Sequence, residues 1–300
     1  MSKEDPLPHS VFRRGLLAGK GAIVSGGGTG IGFQIARELL SLGCNVLICS
    51  RSQEKLDAAV SSLQGLAGTV HARPCNIKEE ESVESVVAEA LTLLGRIDFL
   101  VNNAGGQFLS PAESISVRGF NAVVQTNLIG TFLMCREVYK AYMSEHGGSI
   151  VNITIIMQNG IPKMAHSAAA RAGVTTLTRT LAGEWAPAGV RINCVAPGVI
   201  FTESGFKNYG AAGDAILEAV TPALPFKRLG TAEEVSAAVV FLLSPGAAYT
   251  SGATLLVDGG LSMVGYPPPL ADTGGEHCDF PILGDPTTLP AAAKMPPSRL

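Results

Sequence analysis

Three glycines, Gly26, Gly30 and Gly32, fall in SGGGTGIG, directly after the apolar run AIV and at the head of the helical pattern IGFQIARELLSLG. Glycine at these points lets the chain turn tightly and lets the backbone come close to a pyrophosphate. The free N–H groups and positive end of the following helix attract that anion. With Thr29 and Ile31 between them, the glycines form a candidate dinucleotide cradle, a bare structural turn being the alternative. A dinucleotide site for an unmodified ribose usually offers Asp or Glu to the 2′-hydroxyl about 20 residues on. Here the second apolar run ends Cys49-Ser50-Arg51-Ser52, without a carboxylate. A guanidinium flanked by hydroxyls suits a 2′-phosphate and points to NADPH, unless Arg51 is merely a solvated strand-end charge.

A second constellation lies in MAHSAAARAG, residues 164–173, where Ser167 and Arg171 are spaced to share one helical face. A hydroxyl there can donate to a polarised oxygen. A guanidinium there is a fixed positive charge with a planar fork of donors, or it remains a paired surface charge. Ser167 reads equally well as a helix N-cap. His166 beside it is either a proton shuttle or a bystander.

Seven short runs rich in Val, Ile and Leu distribute these groups along the chain: 22–24, 45–49, 70–75, 97–101, 149–154, 191–195 and 253–257. Helical patterns alternate with them, as expected for buried parallel strands joined by crossover helices. The predicted fold is α/β: a Rossmann doubly wound parallel sheet of about seven strands, with helices on both faces, in a single domain over residues 18–265. Residues 1–17 read as a flexible arm. Residues 266–300, rich in Pro, Gly and small side chains, read as a mostly disordered tail. The Gly- and Pro-broken segment 208–230 is placed to act as a lid before the last strand.

The 300 residues, 46% of them hydrophobic, suffice for one large core, and a net charge of −3 gives no footprint for nucleic acid. No apolar run approaches the ~18 residues of a membrane-spanning helix, and the N-terminus has no apolar signal core. The six cysteines include no CxxC pair and sit mostly in apolar runs. They read as small buried hydrophobes in a reducing compartment, with no metal expected.

Further motifs carry a resemblance. Asn76-Ile77 follows the third strand, Asn102-Asn103-Ala104-Gly105 follows the fourth, and Asn127 stands in TNLIGTF. Pro197-Gly198-Val199-Ile200 follows the sixth, with Thr202 close behind, and LLVDGG ends the series. In this order the chain resembles the short-chain dehydrogenase/reductase family over residues 18–262. The resemblance implies that Asn76 and Ile77 flank an adenine and that Asn103, Ala104 and Gly105 lie beside the adenosine ribose. It also implies that Asn127 anchors a proton-relay water and that Pro197, Gly198, Ile200 and Thr202 meet the nicotinamide. Within the family, NNAGGQFLSPAE, MSEHGGSIVNI, HSAAARAGV and RINCVAPGVI look most like the peroxisomal trans-2-enoyl-CoA reductases, with dienoyl-CoA reductases next. That implies NADPH-dependent reduction of the 2,3 double bond of a fatty acyl-CoA thioester. It further implies a homo-oligomer built on long helices such as residues 120–145. Ser298-Arg299-Leu300 resembles a peroxisomal address, with the import receptor as partner.

The departures fall at the chemistry. Ser167 stands where the family has its tyrosine and Arg171 where it has its lysine; a second register gives Thr175 and Arg179. The strand-end serine position falls on Thr154 or Ile155, and Thr154 is the hydroxyl available. A carbonyl reductase without its acid loses on the order of 10²–10⁴-fold. An enoyl reductase needs donors to the enolate oxygen and a proton that water can supply. The expectation is that Ser167, Thr154 and Asn127 polarise the thioester oxygen while Arg171 holds the nicotinamide ribose. The rivals are a 2,4-dienoyl-CoA or carbonyl reductase and an NADP-binding protein without turnover.

Overall fold

The computed structural model describes residues 11–157, 160–207 and 220–264. All seven expected strands form: β1 (Gly21–Ser25), β2 (Asn45–Ser50), β3 (Val70–Pro74), β4 (Phe99–Asn102), β5 (Gly148–Ile153), β6 (Val190–Pro197) and β7 (Thr254–Val257). They make one sheet in the order β3-β2-β1-β4-β5-β6-β7, and every pairing is parallel. The winding direction reverses between β1 and β4, so a crevice opens above the carboxyl ends of those strands. The start of this pair is clasped by Asp98, which accepts from the Gly21 N–H at 2.9 Å and pairs with Lys20 and Arg96.

Alternation along each strand builds two cores. Ile23, Leu47, Leu100, Ile150 and Ile192 face one side, with helix α3 (Glu80–Leu94), helix α5 (Gly130–Val138) and part of helix α6 (Ala165–Glu184) over them. Val24, Val46, Ile48, Val101 and Val151 face the other, under helix α1 (Gly30–Ser41), helix α2 (Gln53–Leu63) and helix α7 (Ala232–Leu243). Each such fully buried side chain contributes about 1.5–3 kcal/mol, which is why the strands read as continuous apolar runs. Gly43, at φ +88°, turns the chain out of α1 in a conformation that other residues adopt at a cost.

Helix α4 (Val117–Val124) leads through a π-turn at Gln125–Ile129 into α5. The extra residue in that turn rotates Asn127 inward, and the Thr131 hydroxyl donates to the Asn127 carbonyl at 2.8 Å.

One boundary moves. Leu17, assigned above to a flexible arm, is buried at 2% exposure, donates its N–H to the Leu42 carbonyl, and joins the core with Phe12 and Leu16 beside it. The packed domain therefore begins before residue 18. The tail 266–300 and the lid stretch 208–219 lie outside the described residues. The rest of the lid segment is anchored, since Val220 and Leu224 are buried with Ile156, Ala196 and Leu261. Among the described residues no helix is long and apolar enough to cross a membrane, and no group of three or more His, Cys, Asp or Glu could hold a metal ion.

Candidate active site

A cleft of about 610 Å³ opens where β1, β2, β4, β5 and β6 end. That size holds a cofactor or a drug-sized ligand. The residues expected from sequence at Gly26, Thr29, Gly30, Ile31, Arg51, Asn76, Ile77, Asn103, Ala104, Gly105, Arg171, Pro197, Gly198, Ile200 and Thr202 all line it. Gly32 lies just behind, where an added Cβ would overlap the Gly26 carbonyl oxygen and the Asn103 side chain. The loop is thus folded too tightly there for any side chain. Asn103 staples it from the neighbouring strand, donating from Nδ2 to the Ser25 and Gly26 carbonyls at 3.2 Å. Its own N–H donates to the Ser25 hydroxyl at 3.1 Å.

The wall bears Arg51, Lys55, Lys78 and Arg171, and among the described residues lining it there is no Asp, Glu, Tyr or His. Such a surface favours an anionic ligand. Beside Arg51, the Ser50 hydroxyl is buried and has no hydrogen-bond partner. The Ser52 hydroxyl caps α2, accepting from the Lys55 N–H at 3.3 Å, so the positive end of that helix faces the same corner. An unpartnered hydroxyl, two cations and a helix N-terminus fit a phosphorylated ribose. Lys55 and Ser50 did not emerge from the sequence as site residues. The signal was available, since Lys55 follows Arg51 by one helical turn.

At the other end of the cleft the geometry departs from the simplest reading of the hydroxyls. Thr154 is 1% exposed, and its hydroxyl donates to the Val195 carbonyl at 3.2 Å, so it is spent within the sheet. Thr154 still lines the cleft, together with the half-buried Ile155 beyond it. Ser167 is fully buried in the first turn of α6 and does not line the cleft. The N-cap is Met164, which excludes Ser167 from that role. Instead its hydroxyl donates to Gln107 Oε1 at 3.0 Å, and Gln107 does line the cleft. Asn127, 3% exposed, is likewise turned to this loop. It accepts from the Gly106 N–H at 2.9 Å and donates to the Gly106 carbonyl at 3.0 Å.

Ser167 and Asn127 therefore hold one short segment, Gly105-Gly106-Gln107, from two sides. A Cβ at Gly105 would lie 2.8 Å from Arg171 Nη2 and 2.9 Å from Asn127 Oδ1, so those side chains would have to shift to admit one. Arg171 donates from Nη1 to the Ile153 carbonyl at 2.9 Å and more weakly to that of Thr154, bracing its charge against the end of β5. In the second register, Thr175 donates to the Arg171 carbonyl and Arg179 is exposed, and neither lines the cleft. His166 is fully buried, with its ring edge-on to Phe108 at 4.2 Å and Nδ1 accepting from the Ser167 N–H at 2.7 Å. Burial holds its pKa below the ordinary imidazole value, which outweighs a backbone contact at Met164 and keeps it neutral.

Known proteins resemble this chain over most of its length. Residues 26–262 match the family model described as Enoyl-(Acyl carrier protein) reductase. The chain is 37% identical to the peroxisomal 2,4-dienoyl-CoA reductase [(3E)-enoyl-CoA-producing] of Danio rerio, over 83% of this chain and 84% of that protein. It is 35% identical to D-threitol dehydrogenase of Mycolicibacterium smegmatis, over 82% and 94%. The solved structure of citronellol catabolism dehydrogenase (AtuB) from Pseudomonas aeruginosa PAO1 superposes with a TM-score of 0.75 at 46% identity, covering 85% of this chain and 99% of that one. Relatives this similar act on a thioester and on a sugar alcohol, so the cleft's own chemistry must decide the substrate. The chain is an oxidoreductase that binds a nicotinamide cofactor, and it belongs to the short-chain dehydrogenase/reductase family.

Proposed function

We propose that the chain reduces the 2,3 double bond of trans-2-enoyl-CoA thioesters with NADPH. The observation that carries this reading is the Ser167–Gln107 hydrogen bond. The hydroxyl at the family's tyrosine position is buried and committed to Gln107, so it is not offered as an acid to a carbonyl oxygen. Gln107 lines the cleft with its Oε1 held by Ser167, and in this reading its amide is the neutral donor. A neutral donor suits an oxygen that must be stabilised as an enolate and not protonated into an alcohol.

In this reading Arg51, Ser50 and Lys55 take the 2′-phosphate, and the glycine loop takes the pyrophosphate. Arg171 holds the nicotinamide ribose. The cofactor supplies hydride to Cβ of the conjugated thioester. Negative charge then grows on the thioester oxygen, where Gln107 donates. Asn127 fixes Gly106 and so sets the height of Gln107, while Cα takes its proton from water. Ile155, Leu109 and Met164 make an apolar wall, and Phe108 and Phe201 are exposed at 40% and 49%, surfaces that suit a fatty chain. Placement in the peroxisome is proposed from the relatives so named.

A second reading is reduction of 2,4-dienoyl-CoA, favoured by the names of the relatives. There hydride adds at the far end of the conjugated system, while the same amide holds the same oxygen. The test is NADPH oxidation by the purified chain with a medium-chain trans-2-enoyl-CoA and with a 2,4-dienoyl-CoA, products identified by mass spectrometry, beside NADH and no-substrate controls. Turnover of the monoene to a saturated thioester supports the proposal. Turnover of the diene alone, yielding a 3-enoyl thioester, replaces it with the second reading. Coenzyme binding without turnover of either leaves a non-catalytic binder.

A further inference from the structure

Gln107 and Leu109 line the cleft, and Phe108 between them does not. The Phe108 ring packs instead against the ring of His166, edge-on with centroids 4.2 Å apart. Its tip reaches Gly119 of α4, where an added Cβ would lie 3.1 Å from Phe108 Cζ, so the glycine leaves the ring its room. Two more ties join the same stretches of chain. The Ser167 hydroxyl donates to Gln107 Oε1, and the Ser110 N–H donates to the Lys163 carbonyl at 2.9 Å. Lys163 takes φ +65°, a left-handed conformation that is costly for a residue with a side chain and persists where its surroundings fix it. Met164, next along, lines the cleft as well. Two segments, 107–109 and 163–167, thus make this side of the cleft, and they meet ring to ring at Phe108 and His166.

His166 is fully buried and does not line the cleft itself. Its Nδ1 accepts from the Ser167 N–H, which leaves the proton on Nε2, and Nε2 has no hydrogen-bond partner among the described residues. A buried N–H without a partner is a cost that an apolar ring would not carry. What this place uses is therefore the volume of the imidazole, with one bond to the first turn of α6 fixing its plane. We propose that His166 is a positioning residue: through Phe108 it sets where Leu109 stands opposite Met164, and so the length and bulk of the acyl chain that the cleft admits. Interiors are packed closely enough that a ring cannot be removed without its neighbours moving. With either ring truncated, the strip 107–109 recedes into the vacated volume and the slot widens. This role rests on the thioester reading, since an acyl chain is what such an apolar wall would sort.

The experiment measures binding of saturated acyl-CoAs, from short to long chains and one methyl-branched, by titration calorimetry on the full-length chain with saturating NADP+, so that no turnover is needed. His166→Ala and Phe108→Ala should each shift preference toward longer or branched chains by roughly tenfold, while affinity for NADP+ stays unchanged. His166→Phe, which restores a ring of similar size, should keep the unmutated profile. In the Phe108→Ala background His166→Ala should add no further shift, because its effect passes through Phe108. Phe108 is 40% exposed, so Phe108→Ala reads the slot should His166→Ala fail to fold. A merely structural His166 would instead lower Tm, NADP+ affinity and the binding of every chain length together. That result overturns the proposal, as does an unchanged profile in Phe108→Ala, and both leave the thioester reading standing. Failure of every acyl-CoA to bind the unmutated chain overturns the two together.

Discussion

Replacing Ser167 by Ala removes one hydrogen bond, 3.0 Å long, from a fully buried hydroxyl to Gln107 Oε1. If that bond's work is to aim the Gln107 amide, the cost is the net worth of one such bond, about 0.5–1.5 kcal/mol. Converted to rate, this is a loss in kcat/KM of roughly 2- to 12-fold. Gln107→Leu removes the donor itself, and loss of one donor to a developing oxyanion costs about 10²–10³-fold. In the Gln107→Leu background Ser167→Ala has nothing left to aim, so the double variant should match Gln107→Leu alone. The assay is kcat/KM for a medium-chain trans-2-enoyl-CoA at saturating NADPH in all four proteins, with thermal melts showing that each is folded. Effects that multiply independently would refute the coupling. A wild-type rate in Gln107→Leu would refute the donor assignment outright.

Arg51→Ala should raise KM for NADPH by roughly ten- to a hundredfold and leave KM for NADH nearly unchanged, because a charge-assisted bond contributes about 1.5–3 kcal/mol; equal losses with both coenzymes would show that Arg51 does not read the phosphate. Gly32→Ala gains about 1 kcal/mol of helix propensity but forces a Cβ into the Gly26 carbonyl oxygen. Overpacking costs about 1–3 kcal/mol, so a lower Tm and weaker coenzyme binding are expected, and an unchanged melt would contradict the tight cradle. His166 is held neutral by burial, so its folded pKa lies below the unfolded value of 6.5. The stability it contributes is complete above that value and is lost as pH falls below it toward the folded pKa. Urea unfolding at about pH 7.5 and 5.5 should therefore show a smaller acid loss in His166→Gln than in the unmutated chain.

The strands were legible because each is a short apolar run buried on both faces, and the parallel order followed from the helical patterns between them. The cradle was legible because glycine, strand and helix are adjacent in sequence. Ser167, Thr154 and Asn127 could be found as residue types but not as orientations. The two partners of the Ser167–Gln107 bond are 60 residues apart, and nothing local to either reveals the other. Gln107 stood in full view within NNAGGQFL, but an uncharged amide in a glycine-rich loop carries no spacing signal. The π-turn that rotates Asn127 inward is equally invisible to a 3.6-residue period. Phe12 and Leu16 were read with the polar arm because two apolar residues make no pattern, although they meet the core once Leu17 is pinned to Leu42.

The buried contact between α1 and α7 bears on how the chain comes off the ribosome. Glu38, 2% exposed, accepts from the Ser236 hydroxyl, a partner 198 residues further along the chain. Gly21 likewise waits for Asp98, 77 residues later, before β1 gains its inner neighbour. No strand in this sheet can pair with a hairpin partner, so non-local pairings of this kind fold slowly and leave apolar surface uncovered meanwhile. During synthesis α1 must present its apolar stripe and a carboxylate meant for burial until almost the last helix emerges. Truncation before residue 232 should therefore release a sticky intermediate and not a smaller working domain. The yield of this protein in a cell should depend on holding chaperones more than its finished stability would suggest.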